Sequence, residues 1–438
     1  MNKPLAIVSA PVDTYSGYGA RARDLVKALI DLDKYDVKIL SQRWGNTRRG
    51  YLKDHNETGI ASRIIPQLQT QPELWMQITV PNEFQKVGKY NIGVTAGMET
   101  TIVDPSWIKG CNNMDLIITS SEHSKEVFLT SGYEVKDSRT NQLTSTLKLE
   151  KPIEVLLEGA DLNKYHVTKS NLDLSEIKES FCFLNVGHWM QGKLGEDRKN
   201  IGYLVKAFLE TFKNKQKQPA LILKTLKSNS SIMDREAILD QIDSIRKTVK
   251  GSLPNIYLLH GEMSDKEVNE LYNHSKVKAM ISLTKGEGFG RPLLEFTLSK
   301  KPVIASGWSG HLDFLQRENT LLVGGELTKV DKSAAVKNMI LEEASWFTPD
   351  DGQVAYALKD MFKNYKNYTI KAKRQGTFSS KNFAFSNMFE NLKLIDSKYI
   401  PIFPKKTQLT MPKLNLPKMK TSGNSAKVNL PKLKKANG

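Results

Sequence analysis

The stretch Thr284-Lys285-Gly286-Glu287-Gly288-Phe289-Gly290-Arg291-Pro292-Leu293-Leu294-Glu295 constrains this chain more than any other. An apolar strand pattern, Ala279-Met280-Ile281-Ser282-Leu283, runs into a turn with three glycines. A helix opens near Pro292, and a second apolar strand pattern follows at 301–306. Strand, glycine turn, helix, strand is the repeating unit of an open parallel α/β sheet. Glycines let backbone N–H groups approach a ligand closely, and a helix N-terminus favours an anionic diphosphate. Glu287 sits in the turn and Glu295 two turns further on, with seven residues between them. Two carboxylates so placed are expected to bracket a ligand and accept hydrogen bonds from hydroxyls at both of its ends.

The same alternation recurs along the chain. A strand at 5–10 leads into Pro11-Val12-Asp13-Thr14-Tyr15-Ser16-Gly17-Tyr18-Gly19, then a helix carrying Leu25, Leu29 and Ile30, then a strand at 36–40. Gly17 and Gly19 stand at the end of the first strand, where open α/β sheets bind ligands. Further strands are expected at 90–95, 116–120 and 153–157. A second series follows at 181–186, 220–223 and 255–259, with a helix at 203–212 and a solvated outer helix over 234–250. The pattern divides the chain into an N-terminal domain, residues 1–165, and a second domain, residues 166–378. A last amphipathic helix spans 379–400, and 401–438 form a Lys/Pro-rich tail.

Composition narrows the class. With 438 residues, 39% hydrophobic and 25% charged, the chain is globular and long enough for two cores. No apolar run of about 18 residues exists, so no transmembrane segment is expected. The short N-terminal apolar run reads as a first strand, not a signal peptide. Cys111 and Cys182 lie in apolar contexts, which points to buried thiols in a reducing, cytoplasmic compartment. No Cys/His cluster has metal-ligand spacing, so neither a metal nor a cofactor is expected. The net charge of +17 is uneven: the 38 tail residues carry nine lysines and no acid, which leaves +8 for the rest. Leu-Pro-Lys repeats there block helix and favour extended chain. A polyanion contact is expected through 405–435.

The segment Glu287-Gly288-Phe289-Gly290-Arg291-Pro292-Leu293-Leu294-Glu295 resembles E-G-F-G-x-P-x-x-E, the signature of retaining GT-B glycosyltransferases of the family 4 (group 1) type. Gly97-Met98-Glu99-Thr100, Pro105-Ser106-Trp107, Asn113-Met114-Asp115 and Glu158-Gly159-Ala160-Asp161 extend the resemblance over about residues 5 to 400. They are similar to a subgroup with viral members. The resemblance implies two Rossmann-like doubly wound domains facing across a cleft, with the C-terminal helix crossing back to the first. It implies that Glu287 contacts the donor sugar, with backbone support from Phe289 and Gly290, and that Glu295 binds the ribose. Arg198-Lys199-Asn200 matches the family's R-K-N. This assigns Lys199 and Arg198 to the departing phosphate of a nucleotide diphosphate sugar, by cationic stabilisation without metal. Gly17 and Gly19 would face the donor phosphates, Arg291 would touch phosphate or stay on the surface, and His260 ends the strand beside the nucleobase. Glu99 is the candidate for the acceptor hydroxyl.

The leading function is therefore a hexosyl- or pentosyltransferase acting with retention. Its acceptor is a glycan, a lipid-linked glycan or a hydroxylated base in DNA. The alternative is a non-catalytic GT-B-fold binding or structural protein with a basic interaction tail.

Overall fold

Successive side chains of strands such as 5–10, 116–119 and 182–186 are buried on both faces, which only a sheet covered on both sides accommodates. The computed structural model describes residues 3–137 and 139–404; the tail expected to meet a polyanion lies outside the described residues. The strands are β1 Leu5–Ala10, β2 Asp36–Ser41, β3 Leu74–Ile78, β4 Tyr90–Val94, β5 Leu116–Thr119, β6 Gly132–Lys136, β7 Leu143–Lys148 and β8 Ile153–Val155. They continue with β9 Cys182–Val186, β10 Ala220–Lys224, β11 Ile256–Leu259, β12 Val277–Ser282, β13 Val303–Ser306, β14 Leu321–Val323, β15 Gly325–Lys329 and β16 Ser345–Pro349.

Two six-stranded parallel sheets form, in the orders β2-β1-β3-β4-β5-β8 and β11-β10-β9-β12-β13-β14. Both lie within one compact unit that ends at Phe403. In the first sheet Ala6 and Val8 face Leu25 and Leu29 of helix Gly17–Asp31, while Ile7, between them, faces Trp107 and Phe128. In the second, Phe183 meets Leu204 and Phe208 of helix Ile201–Phe212, and Cys182 and Leu184 turn to Tyr272 and Phe296. A period of two with both faces buried is the signature of a doubly wound sheet. Each order reverses direction once, at β1/β3 and at β9/β12. A crevice opens at the carboxyl ends beside such a reversal.

The expected single helix over 379–400 is corrected. Helix Tyr365–Asn382 stays on the second sheet's half, where Gln375 donates to Phe314 O at 2.7 Å and the Thr297 hydroxyl meets that of Ser379 at 2.8 Å. A new helix, Phe385–Tyr399, packs Met388, Leu392 and Ile395 into the first sheet's core. The break has a physical cause. Phe383 is buried against Phe314, and Ala160 pairs with the backbone on both sides of Ala384. Its N–H donates to Phe383 O at 2.8 Å, and its carbonyl accepts from Phe385 N at 2.9 Å. Those bonds replace the helical ones, so the two chain crossings between the halves run side by side.

The outer helix expected at 234–250 spans Ile232–Lys247 and buries Ile238, Ile242 and Ile245. No described helix is long and apolar enough to cross a membrane. Both cysteines are buried.

Phe208 is fully buried between Phe183 and Phe212. Phe208→Ala is expected to cost about 3–5 kcal/mol. Differential scanning calorimetry should show the loss as a lowered transition, and an unchanged thermogram would contradict this packing.

Candidate active site

The loop after β9 and the loop after β12 meet at the second sheet's reversal point. The backbone N–H of Lys285 and the hydroxyl of Thr284 donate to Arg198 O at 2.8 and 3.2 Å. Arg198 then turns its Nη1 onto Gly286 O at 2.9 Å. Asn200, at φ 57°, caps helix Ile201–Phe212 and ends the loop that presents Arg198 and Lys199.

Lys199 Nζ donates to both oxygens of Glu287, at 2.6 and 2.7 Å. Arg198 Nη1 lies 3.7 Å from Glu287 and 3.4 Å from Glu99, which comes from the first sheet's half. Two cations and two carboxylates expected to act together thus form one cluster across the cleft. The Glu287 side chain is only 10% exposed. Burial pushes its carboxyl up, but Lys199 and then Arg198 outweigh burial and hold it below the ordinary carboxylate range. Removing one member of such a buried pair typically costs about 3–5 kcal/mol, because the other charge stays behind.

Two glycines of the turn meet a second requirement, from the facing half. A methyl group at Gly286 would lie 2.0 Å from Glu99 O, and one at Gly288 would lie 2.1 Å from Ala96 O. The Ser120 hydroxyl also reaches Gly288 O at 3.2 Å. Both glycines admit the backbone of the facing half. Gly290 serves backbone conformation: its φ of 94° starts helix Arg291–Thr297. Phe289 is buried against Phe314.

Glu295 lies in that helix, on a cleft cavity of about 820 Å³ that Gly17, Asp24, Glu262, Met263 and Arg291 also line. Lys199 and Glu287 are not among its lining residues. Arg291 is neither a surface residue nor free. Its Nε donates to Glu295 Oε1 at 2.9 Å, and its Nη1 reaches Asp24 and, at 3.4 Å, Glu158. Burial raises the Glu295 carboxyl to about 7, with Arg291 opposing the rise and Asp265 and Glu158 adding to it.

Gly17 faces the cavity with open space around it. Gly19 instead packs on Thr14, and its N–H donates to the N-cap hydroxyl of Ser16 at 2.9 Å. His260 does not line the cavity; its Nε2 contacts Asp234 Oδ2 at 2.9 Å. Asp24 and Glu158 carried no signal as partners of Arg291: one is an ordinary helix position, the other part of a domain-end motif. Among the described residues no group of three or more His, Cys, Asp or Glu side chains is arranged to hold a metal ion.

Two outcomes test this geometry. Gly286→Ala must push the Glu99 backbone away and is expected to lower stability by about 1–3 kcal/mol. Gly17→Ala, with nothing within 4 Å, should melt at or above the wild-type temperature. Equal effects would refute the close approach.

Glu295 yields the second. A carboxyl raised from 4.5 to about 7 binds more protons in the folded than in the unfolded state over that window. Stability should therefore fall as pH rises through it, by about 1.4 kcal/mol per unit. Urea titrations of wild type and Glu295→Gln should give a difference that declines from pH 4.5 to 7; a constant difference would count against it.

Residues 189–341 match a family model described as glycosyl transferases group 1. No curated protein matches the sequence. Among solved structures, a glycosyltransferase from Rickettsia africae is 14% identical, covering 91% of this chain and 99% of its own, with a TM-score of 0.59. Sucrose-phosphate synthase from Thermosynechococcus elongatus is 13% identical over 90% and 98%, TM-score 0.58. HepE from Anabaena, in complex with UDP and glucose, is 13% identical over 90% and 100%, TM-score 0.54. Likeness at these identities concerns the fold. The chain has the GT-B arrangement of two Rossmann-like parallel-sheet halves, and the group 1 match falls on the half that carries Lys199, Glu287 and Glu295.

Proposed function

We propose that this protein is a glycosyltransferase that moves a sugar, with retention, from a nucleotide diphosphate sugar to an acceptor hydroxyl. The observation that carries the reading is the Lys199–Glu287 pair, joined through Arg198 to Glu99 of the facing half, with Glu295 on a cavity that residues of both halves line. The group 1 match and the likeness to HepE, whose structure contains UDP and glucose, support it.

In this reading the diphosphate exchanges with Glu287 at the Lys199 ammonium. That exchange frees both Glu287 oxygens to accept hydrogen bonds from sugar hydroxyls. Glu295 accepts from the ribose. Lys199 and Arg198 stabilise the charge that develops on the leaving phosphate as the anomeric C–O bond breaks. The acceptor oxygen forms the new bond on the same face, and its proton passes to the departing phosphate oxygen, so no strong general base is required. Glu99 orients the acceptor hydroxyl. The chemistry needs no metal or cofactor in this reading. The acceptor is a glycan, a lipid-linked glycan or a hydroxylated base in DNA.

Calorimetric titration with UDP and GDP, followed by a mass-spectrometric screen of nucleotide sugars for hydrolysis and transfer, tests the reading. One of the two nucleotides should bind. Lys199→Ala and the isosteric Glu287→Gln should each lower turnover by roughly 10²–10³-fold while circular dichroism stays native. Wild-type turnover in either variant would defeat the role given to that residue, and no binding of either nucleotide would favour a non-catalytic binding protein.

A further inference from the structure

Arg291 is one guanidinium serving three carboxylates, and those carboxylates come from three different parts of the fold. Glu295 belongs to its own helix, Asp24 to helix Gly17–Asp31 of the other half, and Glu158 to the segment that follows β8 and leads out of the first sheet. All four side chains are largely buried, from 9 to 20% exposed. The fork geometry of arginine permits this: Nε faces Glu295 while Nη1 spans to Asp24 and Glu158. The Glu295 Oε1 oxygen takes the Arg291 bond, and no hydrogen bond to Oε2 is made among the described residues. That second oxygen is the one available to a ligand in the cavity.

We infer that Arg291 is a positioning residue that couples occupancy of Glu295 by the donor's ribose to closure of the cleft through Asp24. The inference rests on the donor reading above. Ribose hydroxyls that donate to Glu295 hold it as a carboxylate. A carboxylate fixes the orientation of Arg291 more strongly than a neutral acid would. Arg291 so fixed keeps Nη1 aimed at Asp24, and the Asp24 contact, like that of Glu99 with Arg198, joins the two halves of the chain. Coupling of this kind is reciprocal: whatever closure gains from the nucleotide, the nucleotide gains from closure. Asp24 therefore strengthens nucleotide binding through Arg291, without needing to touch the ribose itself.

A double-mutant cycle on the full chain tests this, with dissociation constants for whichever of UDP and GDP the wild type binds. Asp24→Asn and Arg291→Lys are each expected to weaken binding by roughly tenfold, within the usual range of coupling between sites. The double variant should lose no more than either single one. Asp24→Glu, which keeps the carboxylate, should restore most of the affinity, a rescue that general destabilisation would not produce. Melting temperatures establish that each variant is folded, and Asp24→Ser serves as a second truncation. Small-angle scattering should show the wild type contracting on nucleotide addition and Asp24→Asn contracting less. Losses that multiply in the double variant, or wild-type affinity in Asp24→Asn, would overturn the coupling while leaving the donor reading intact. A wild type that binds neither nucleotide would remove both.

Discussion

A lysine and a glutamate, both largely withdrawn from water, face each other where the two halves of this molecule meet. Their ion pair depends on everything around it. Lys199 is placed by a loop that must end in the left-handed turn at Asn200, and Glu287 by a glycine turn stitched to that loop through Arg198. A pair that is costly to desolvate persists only when its surroundings fix both partners. Here the surroundings are two strand ends at a sheet's reversal point, the place where a parallel fold leaves a crevice. The chemistry of the site and the topology of the sheet are thus one constraint seen at two scales.

The glycine turn shows how one motif can answer to two demands. Its glycines were expected to open the backbone to a ligand. Gly286 and Gly288 also make room for carbonyl oxygens of Glu99 and Ala96 from the facing half. A side chain there would hold the cleft apart. Small residues in this turn therefore govern how closely the cations of one half approach the carboxylate of the other, which is the distance that electrostatic stabilisation depends on.

Much of this was legible in the sequence, because its signals were local. Strands β1, β4, β9 and β12 announce themselves as apolar runs, and Arg198, Lys199, Glu287 and Glu99 sit in motifs that the fold brings together. What escaped was set by distant contacts. The central strand β3, Leu74-Trp75-Met76-Gln77-Ile78, is buried throughout and shows no alternation. Its polar residue, Gln77, is satisfied by Glu83 O and Gln85 N, both in the segment that follows the strand. Hairpin β6–β7 is polar and mostly exposed, so no hydrophobic pattern marks it. The helix break at Phe383 depends on Ala160, and the role of Arg291 on Asp24; neither partner is near in sequence.

The paired crossings at Ala160 and Ala384 constrain how the halves can move. A lone connecting strand would let them swivel freely, like a weight on a string. Two strands bonded side by side, with hydrogen bonds above and below one alanine, resist torsion and lateral slip but yield to bending. Of the relative motions open to the halves, such a join would favour the swing of a door about its pin over any twist.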